Sequence, residues 1–392
     1  MIALSNEKKT NGSGPSSTTL TVIIIILAVA LAAAVTLLAI FFIKGADGAA
    51  DGLFGGLFSK NKKKKTDDPS SGAVSSGVVD IVSEELDEET KKLYATEVMK
   101  IGGMSIDYET YRYYYLNCKA SYDQGDPSYW ETEEGKGNLQ ALKDDVQQEL
   151  NYEIAAMLLA GENGVEYTEE DQKALDENVS YMEMQYTSMY GVSFSKVLES
   201  YYMTLNSYGW LYKYETLVDG LFEKLSDPES GSVEYDEQKV AERAADFYYV
   251  KHILYDFTQH SEDEALRLAQ DTANEMKAIE NEQERLDKFE EKIISDSADY
   301  VAGENTYYIF TDGEMVTAFE EATKALAEGT ISEPVKSEYG YHVIYRLPMD
   351  LELFKNEVYA SECVQKIISD RAEALTVETT AFFDTITPTT AK

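Results

Sequence analysis

The residues best suited to chemistry lie in the second half of the chain, where two of its three histidines occur in segments rich in aromatic and β-branched residues. His252 lies in the segment YYVKHILY and His342 in GYHVIYR. A neutral imidazole offers one hydrogen-bond donor and one acceptor, so a histidine can orient neighbouring polar groups without carrying a charge. These two segments are therefore the first candidates for a functional site.

A second group of candidate residues is apolar and spaced as on a helix. Met315 and Phe319 are four residues apart, so they share one face of the helix predicted here, and Ala322 and Leu326 continue the same stripe. Taken alone, this periodicity favours an ordinary helix core over a binding pocket. The choice between the two depends on the sequence around the stripe.

The surrounding sequence, FTDGEMVTAFEEATKALAEGTISEPVKSEYGYHVIYR, contains five successive elements in a characteristic order. An aromatic strand end, a Gly-x-Met turn and a helix with Phe and Ala precede a Gly-x-Ile-Ser-x-Pro-Val connection and a Gly-Tyr-His strand. In these elements, residues 244–347 resemble parvulin-type peptidyl-prolyl isomerases, because residue types and spacings agree together. The resemblance implies a small antiparallel sheet with surrounding helices, and catalysis of cis–trans isomerisation at X-Pro bonds.

The same resemblance assigns roles to individual residues. It implies three catalytic residues, which are His252, Ser297 and His342. It implies five substrate-binding residues, which are Tyr307, Phe310, Met315, Phe319 and Ser337. The two histidines would lie back to back on neighbouring strands near the Ser337 hydroxyl, and the methionine and the two phenylalanines would form and close a proline pocket. Whether the histidine pair serves catalysis or maintenance of the fold stays open.

The implied reaction needs neither a nucleophile nor a metal ion. The X-Pro peptide bond has partial double-bond character and isomerises only after crossing a barrier of about 18–20 kcal/mol. An apolar pocket that holds the proline ring and a polar wall that favours the twisted amide would lower this barrier. The sequence has no His/Cys/Asp metal spacing, no Gly-rich phosphate loop and no Ser-His-Asp pattern, so we expect no cofactor.

The chain departs from the family pattern at three places. In IISDSADY, Ser297 stands where the family has cysteine or aspartate, with Asp296 and Asp299 as neighbours. The family loop Gly-Gly-Asp-Leu-Gly is replaced by Gly-Glu-Asn-Thr-Tyr at 303–307, with Tyr307 where the family often has leucine. The loop DFTQHSEDEA has no Arg or Lys to pair a phosphate, so we expect no preference for phosphorylated substrates.

The regions flanking this domain resemble, more weakly, the helical lobe of PrsA- and SurA-like foldases. ATEVMKIGGMSIDY predicts a short strand, a turn at Gly102-Gly103 and a helix capped by Asp107. From Asp350 to Phe383, apolar residues recur at helical spacing. We expect this helix to pack on the lobe, which would make the isomerase domain an insertion, and a free amphipathic tail is the alternative.

The predicted fold class is α+β, with one N-terminal membrane helix, a helical lobe and an inserted parvulin-like domain. The predicted segments are a disordered tail (1–19), a transmembrane helix (20–43), a flexible linker (44–93), a helical chaperone lobe (94–243), the isomerase domain (244–349) and a C-terminal segment (350–392). The apolar run Leu20–Ile43 is long enough to cross a bilayer, and a cleaved signal peptide is the alternative.

The formal net charge of −38 predicts a strongly acidic surface. Such a surface repels nucleic acid, so we expect no nucleic-acid binding. The local exception is a lysine run made of Lys62, Lys63, Lys64 and Lys65. This run can contact an anionic envelope polymer or lipid head groups, or it can remain a solvated linker without a partner.

Together these patterns predict a membrane-anchored, extracytoplasmic foldase that isomerises X-Pro bonds in unfolded secreted polypeptides. A literal count of the lysines on either side of the apolar run would place the C-terminal part inside. However, large domains cross membranes largely regardless of charge, and membrane-anchored parvulins generally face outward. A holdase that only binds unfolded clients is one alternative, for which the 29 tyrosines and scattered methionines offer adaptable apolar contacts. An envelope scaffold tethered through the lysine run is the other alternative.

Overall fold

The computed structural model describes residues 86–301 and 305–391. The predicted tail (1–19), the predicted membrane helix (20–43) and most of the predicted linker, including its lysine run, lie outside the described residues. Within the described ranges, no helix combines the length and apolar character needed to cross a membrane. Contacts divide the described chain into two units, residues 86–218 with 372–391, and residues 219–371.

Both units combine helices with short antiparallel strands. The helices are α1 (Glu88–Tyr94), α2 (Tyr108–Asp123), α3 (Glu133–Gly137), α4 (Leu139–Glu162), α5 (Glu169–Tyr190), α6 (Phe194–Glu199), α7 (Leu205–Ser226), α8 (Glu237–Ala244), α9 (Glu262–Ala278), α10 (Glu282–Asp296), α11 (Thr317–Ala325), α12 (Leu351–Phe354), α13 (Ala360–Glu373) and α14 (Ala381–Thr385). The strands are β1 (Glu97–Ile101), β2 (Met104–Asp107), β3 (Tyr248–Asp256), β4 (Tyr308–Phe310), β5 (Thr330–Ile331), β6 (Val335–Lys336), β7 (Gly340–Leu347) and β8 (Val377–Thr379). The predicted α+β class is confirmed.

The first unit packs α2 on α4 and contains a three-stranded antiparallel sheet ordered β2-β1-β8. The β1–β2 hairpin turns at Gly102 and Gly103, whose φ angles of +56° and +85° are readily adopted by glycine. Asp107 caps α2, because its carboxylate accepts the Thr110 N–H at 2.9 Å. The predicted turn and helix cap are both confirmed.

The C-terminal segment does not form the single helix predicted for residues 350–383. Helix α13 ends at Glu373, and β8 then pairs antiparallel with β1. The Thr380 N–H donates to the Val98 carbonyl at 3.0 Å just beyond that pairing. Residues 372–391 group with the first unit and 351–371 with the second. The change of structure follows the sequence, since helical apolar spacing stops near Ala372 and a strand-forming Val-Glu-Thr follows.

The second unit is organised around an antiparallel sheet ordered β4-β3-β7-β5, with β6 also paired to β7. Successive side chains of a strand point to opposite faces, and in β3 and β7 both faces are covered. On one face, α9 and α10 pack over residues such as Ile253, Val343 and Tyr345. On the other face, α11 packs over Val250 and Ile344. The second face is the one that carries both strand histidines.

A smaller apolar cluster fixes where the chain enters and leaves this sheet. Phe354 and Val358 pack against Val240, Ala244 and Phe247, which immediately precede β3. The segment Lys355–Tyr359 between α12 and α13 is a π-helical turn, which re-aims the side chains that follow it. The ends of β3 and β7 are thereby held together, and the histidines in their centres keep a fixed register.

Candidate active site

His252 and His342 meet on one face of the central strand pair. The β3–β7 register places His252 opposite Ile344 and His342 opposite Leu254, so the two histidines are diagonal neighbours on that face. Their ring centroids are 5.5 Å apart and their Nδ1 atoms are 3.4 Å apart. Both residues are buried, with 7% and 5% of their surface exposed. Strand pairing alone therefore brings together two residues that are 90 positions apart.

A line of hydrogen bonds runs through the pair. The Ser337 Oγ lies 2.8 Å from Nε2 of His342, and Nε2 of His252 lies 2.9 Å from Oδ2 of Asp299. An ionised carboxylate only accepts hydrogen bonds, so the proton of a neutral His252 is on Nε2. Its Nδ1 then accepts from Nδ1–H of His342, whose Nε2 accepts from the serine hydroxyl. With both histidines neutral, every donor in this line has one acceptor.

The pKa shifts of Asp299 and His342 agree with the protonation states given to these two groups. Burial raises the pKa of Asp299, but the hydrogen bond from His252, the attraction to that ring in its protonated form and the hydrogen bond from the Ser297 hydroxyl outweigh burial, and the pKa falls to about 2. Burial, followed by repulsion from His252, lowers the pKa of His342 to about 4. At neutral pH, Asp299 is therefore ionised and His342 is neutral.

The structure places Asp299, and not Ser297, against the histidines. Ser297 follows the last residue of α10, accepts the Leu254 N–H at 2.9 Å and donates its hydroxyl proton to Asp299. It therefore supports the carboxylate and lies one hydrogen bond further from His252 than the alignment implied. The sequence could have indicated that Asp299 contacts the histidines, because it is an acidic residue only two positions after Ser297 in the same segment. Asp296, the other nearby acid, binds Lys292 at 2.8 Å instead.

An apolar wall lies beside the histidine pair. The Phe319 ring on α11 is 5.1 Å from the His252 ring and 5.4 Å from the His342 ring, measured between centroids. Phe310 at the end of β4 lies 5.8 Å from Phe319, and Met315 packs against the same cluster. The structure therefore brings together three of the expected pocket residues.

Tyr307 does not join them. Its ring lies 5.6 Å from that of Tyr249, on the opposite face of the sheet, and its hydroxyl donates to the Glu357 carboxylate. The next residue, Tyr308, takes the position beside the site, with its ring 4.9 Å from that of His252. Strand alternation could have indicated this, because Tyr308 and Phe310 share one face of β4.

A small cavity opens between Tyr308 and the histidine–carboxylate contact. Its volume is about 20 Å³, and His252, Asp299 and Tyr308 are among the residues that line it. A cavity of this size holds about one water molecule. Within residues 86–301 and 305–391, no three His, Cys, Asp or Glu side chains are placed to hold a metal ion. The site therefore presents a polar line, an apolar wall and space for a small polar group.

Residues 252–347 match the family described as Rotamase, PPIC-type PPIASE domain. Foldase protein PrsA 2 of Listeria innocua is 33% identical over 185 residues, covering 44% of this chain and 54% of the relative. Chaperone SurA of Chromohalobacter salexigens is 43% identical over 70 residues, covering 17% of this chain and 16% of the relative. The chain spans about half the length of the Listeria PrsA relatives that it matches.

Solved structures of the same kind cover more of the chain at lower identity. The crystal structure of PrsA from Bacillus subtilis covers 60% of this chain and 86% of its own, with 18% identity and a TM-score of 0.32. The foldase PrsA from Lactococcus lactis covers 73% and 95%, with 15% identity and a TM-score of 0.32. With the family match at residues 252–347, the chain contains a parvulin-type domain of the peptidyl-prolyl cis-trans isomerase class and is similar to the PrsA and SurA foldases.

Proposed function

We propose that the protein is a foldase whose parvulin-type domain accelerates cis–trans isomerisation of X-Pro bonds in unfolded polypeptides. The observation that carries the proposal is the line of hydrogen bonds from Ser337 through His342 and His252 to Asp299, which lies beside Phe319. A fixed polar line and an apolar wall on one sheet face are the two parts that a twisting amide requires.

The apolar wall would hold the proline ring. Phe310, Met315 and Phe319 form one continuous surface with the buried Val250 and Ile344 beneath it. A proline ring placed on this surface leaves water and gains van der Waals contact, which stabilises one orientation of the ring. With the ring held, the residue before proline rotates relative to it, and the enzyme lowers the barrier by holding one side of the bond.

Asp299 would supply a fixed negative charge beside the rotating carbonyl group. Conjugation in the planar amide places partial negative charge on the carbonyl oxygen, and twisting the bond removes part of it. A carboxylate near this oxygen therefore destabilises the planar amide more than the twisted amide, which lowers the barrier between them. His252 and Ser297 hold the two oxygens of this carboxylate, so its charge is in place before the substrate binds.

NMR exchange spectroscopy on proline peptides with varied preceding residues tests the proposal. The full chain should accelerate cis–trans exchange, and Met315→Ala combined with Phe319→Ala should abolish both acceleration and peptide binding. A matched control is Ile294→Ala, which removes an apolar side chain that is 57% exposed on α10. A wild-type protein that accelerates exchange on none of these peptides would contradict the enzymatic proposal.

A holdase function is the second candidate, and a different observation favours it. Three large apolar residues in the C-terminal half of α5 are mostly exposed: Tyr181 at 54%, Met184 at 56% and Met189 at 63%. Aromatic and methionine side chains adapt to varied apolar partners, as a surface for unfolded clients requires. Replacing these three residues with serine should weaken suppression of client aggregation and leave exchange rates on short peptides unchanged.

We extend the proposal to the cell envelope, with a helical lobe at 94–243, an isomerase domain at 244–349 and a C-terminal segment at 350–392, of which residues 372–391 group with the first unit. The apolar run 20–43 supports a membrane anchor, with the acidic body outside and unfolded secreted polypeptides as clients. The lysines at 62–65 would contact anionic envelope polymers. Membrane fractionation, with protease added to intact cells, tests both the anchor and the outward orientation.

A further inference from the structure

Glu320 is buried next to the proposed proline pocket. It is not part of the line of hydrogen bonds that runs from Ser337 to Asp299. Only 8% of its surface is exposed, and it directly follows Phe319 on α11. Its Oε1 atom accepts two backbone hydrogen bonds, from Gly313 N–H at 2.7 Å and from Met315 N–H at 3.0 Å. One carboxylate oxygen thus binds the turn that carries the pocket methionine.

The other oxygen of this carboxylate lies near Lys324, which also forms an ion pair with Asp312 in the same turn. The Lys324 Nζ lies 3.5 Å from Glu320 Oε2 and 2.7 Å from Asp312 Oδ1. Glu320 and Lys324 are one helical turn apart on α11, so both reach back to the segment 311–316 from the same helix. The turn is therefore attached to α11 through two backbone N–H groups and one lysine.

The contacts of Glu320 and Lys324 stabilise a turn that has neither a side-chain helix cap nor an ordinary backbone conformation at Gly313. Val316, at the N-cap of α11, has a side chain that cannot accept a hydrogen bond from the helix. Gly313 has φ of +93°, in a region that other residues avoid, so the backbone bends sharply just before Met315. A bend without a helix cap needs another source of hydrogen-bond acceptors, and Glu320 provides it.

We propose that Glu320 is a positioning residue that holds Met315 in its pocket position before a proline substrate arrives. This inference rests on the proposed function, in which Met315 forms part of the wall for the proline ring. A turn that is already fixed loses little conformational freedom when the substrate binds, which favours affinity. Loss of the carboxylate should therefore weaken substrate binding more than it slows the twisting of a bound amide.

Three variants of the full chain test this role. Glu320→Ala removes all the acceptors, whereas Glu320→Gln keeps a carbonyl oxygen for the Gly313 and Met315 N–H groups. Glu321→Ala is the matched control, because Glu321 is exposed on the same helix. We expect Glu320→Ala to raise KM about tenfold with kcat within about twofold, as for the loss of a charge-assisted hydrogen bond. Glu320→Gln should recover most of this loss, and Glu321→Ala should match the wild type.

The Met315 methyl resonance, recorded by NMR without substrate, separates positioning from general stability. In Glu320→Ala it should shift and broaden while the melting temperature of the second unit remains above the assay temperature. If the wild type binds no proline peptide, the proposed function fails, and this resonance alone then decides whether Glu320 fixes Met315. An unchanged resonance, or a KM equal to that of Glu321→Ala in a protein that does turn over peptides, overturns the inference. So does a Gln variant that is as impaired as the Ala variant.

Discussion

The Oδ2 atom of Asp299 lies 2.9 Å from Nε2 of His252, while Oδ1 of the same carboxylate accepts the Ser297 hydroxyl proton. Both oxygens are therefore bound to neighbours, and the pKa of Asp299 falls to about 2 although burial opposes ionisation. A carboxylate held in this way is ionised at neutral pH, and its two contacts fix its orientation. This contact makes Asp299 the residue whose replacement is most informative.

Asp299→Asn should lower kcat/KM for proline peptides by about tenfold to a hundredfold, because it removes the charge and keeps the size of the side chain. Ser297→Ala should change the same quantity much less, since His252 still holds the carboxylate. Asp296→Asn is the control, because that acid pairs with Lys292 and not with the histidines. Exchange rates measured with all three variants decide the matter, and equal rates for Asp299→Asn and the control would exclude the proposed role.

The buried His342 predicts a pH dependence of stability. Its pKa is about 4 in the folded protein, against the ordinary value of 6.5, because burial and then His252 disfavour its charged form. Between these values the unfolded chain binds more protons, so the free energy of unfolding should fall as pH drops from 6.5 towards 4. The free energy of unfolding that this single group can remove is at most about 3 kcal/mol. Urea unfolding at several pH values should show the slope, and His342→Gln should flatten it.

The sequence predicted the elements of the site better than their exact register. His252, His342, Phe310, Met315 and Phe319 were expected together, and the structure brings them together, because strand pairing and helical spacing set their positions. Loop residues were harder to place. The one-position exchange of Tyr307 and Tyr308 could have been avoided, because strand alternation places Tyr308 on the face of Phe310. The two-position shift from Ser297 to Asp299 could not be resolved by pattern alone, because these residues follow the end of α10, where periodicity gives no information.

Peptides with phosphoserine before proline should be no better substrates than the unmodified peptides. Lys336 is on the strand that pairs with β7 beside the site, but it is bound to Glu262. Lys251 is on the opposite face of β3, 2.8 Å from Glu290. A phosphate would have to compete for these pairs and approach Asp299, so binding should weaken. Titration of paired peptides by NMR measures the difference, and tighter binding of the phosphorylated peptide would be the contrary result.

Removal of residues 377–392 should destabilise the first unit and leave the second unit unchanged. The removed segment supplies β8, which pairs with β1, and places Phe382 and Phe383 against Tyr108 and Tyr111 at centroid distances of 5.3 and 5.8 Å. Loss of a strand and two aromatic side chains exposes apolar surface in that core. Hydrogen exchange resolved by residue should show lost protection in β1 and retained protection in β3 and β7. Equal loss in both units would mean that they unfold together.

Tyr111→Phe should stabilise the first unit, in contrast to most substitutions in a core. The Tyr111 side chain is fully buried, and its hydroxyl has no hydrogen-bond partner within residues 86–301 and 305–391. Burial of an unpaired hydroxyl is unfavourable, and removing it without changing the ring should raise the free energy of unfolding by about 1 kcal/mol.

The matched control for this substitution is Tyr114→Phe on the same helix. The Tyr114 hydroxyl donates to Glu153, whose pKa burial raises to about 8, so this substitution should destabilise the unit by leaving a buried carboxyl group with one partner fewer. Urea denaturation of both variants shows whether each substitution raises or lowers the free energy of unfolding. If Tyr111→Phe also destabilises the unit, a buried water molecule satisfies the Tyr111 hydroxyl, and the core of the first unit is wetter than its side-chain contacts indicate.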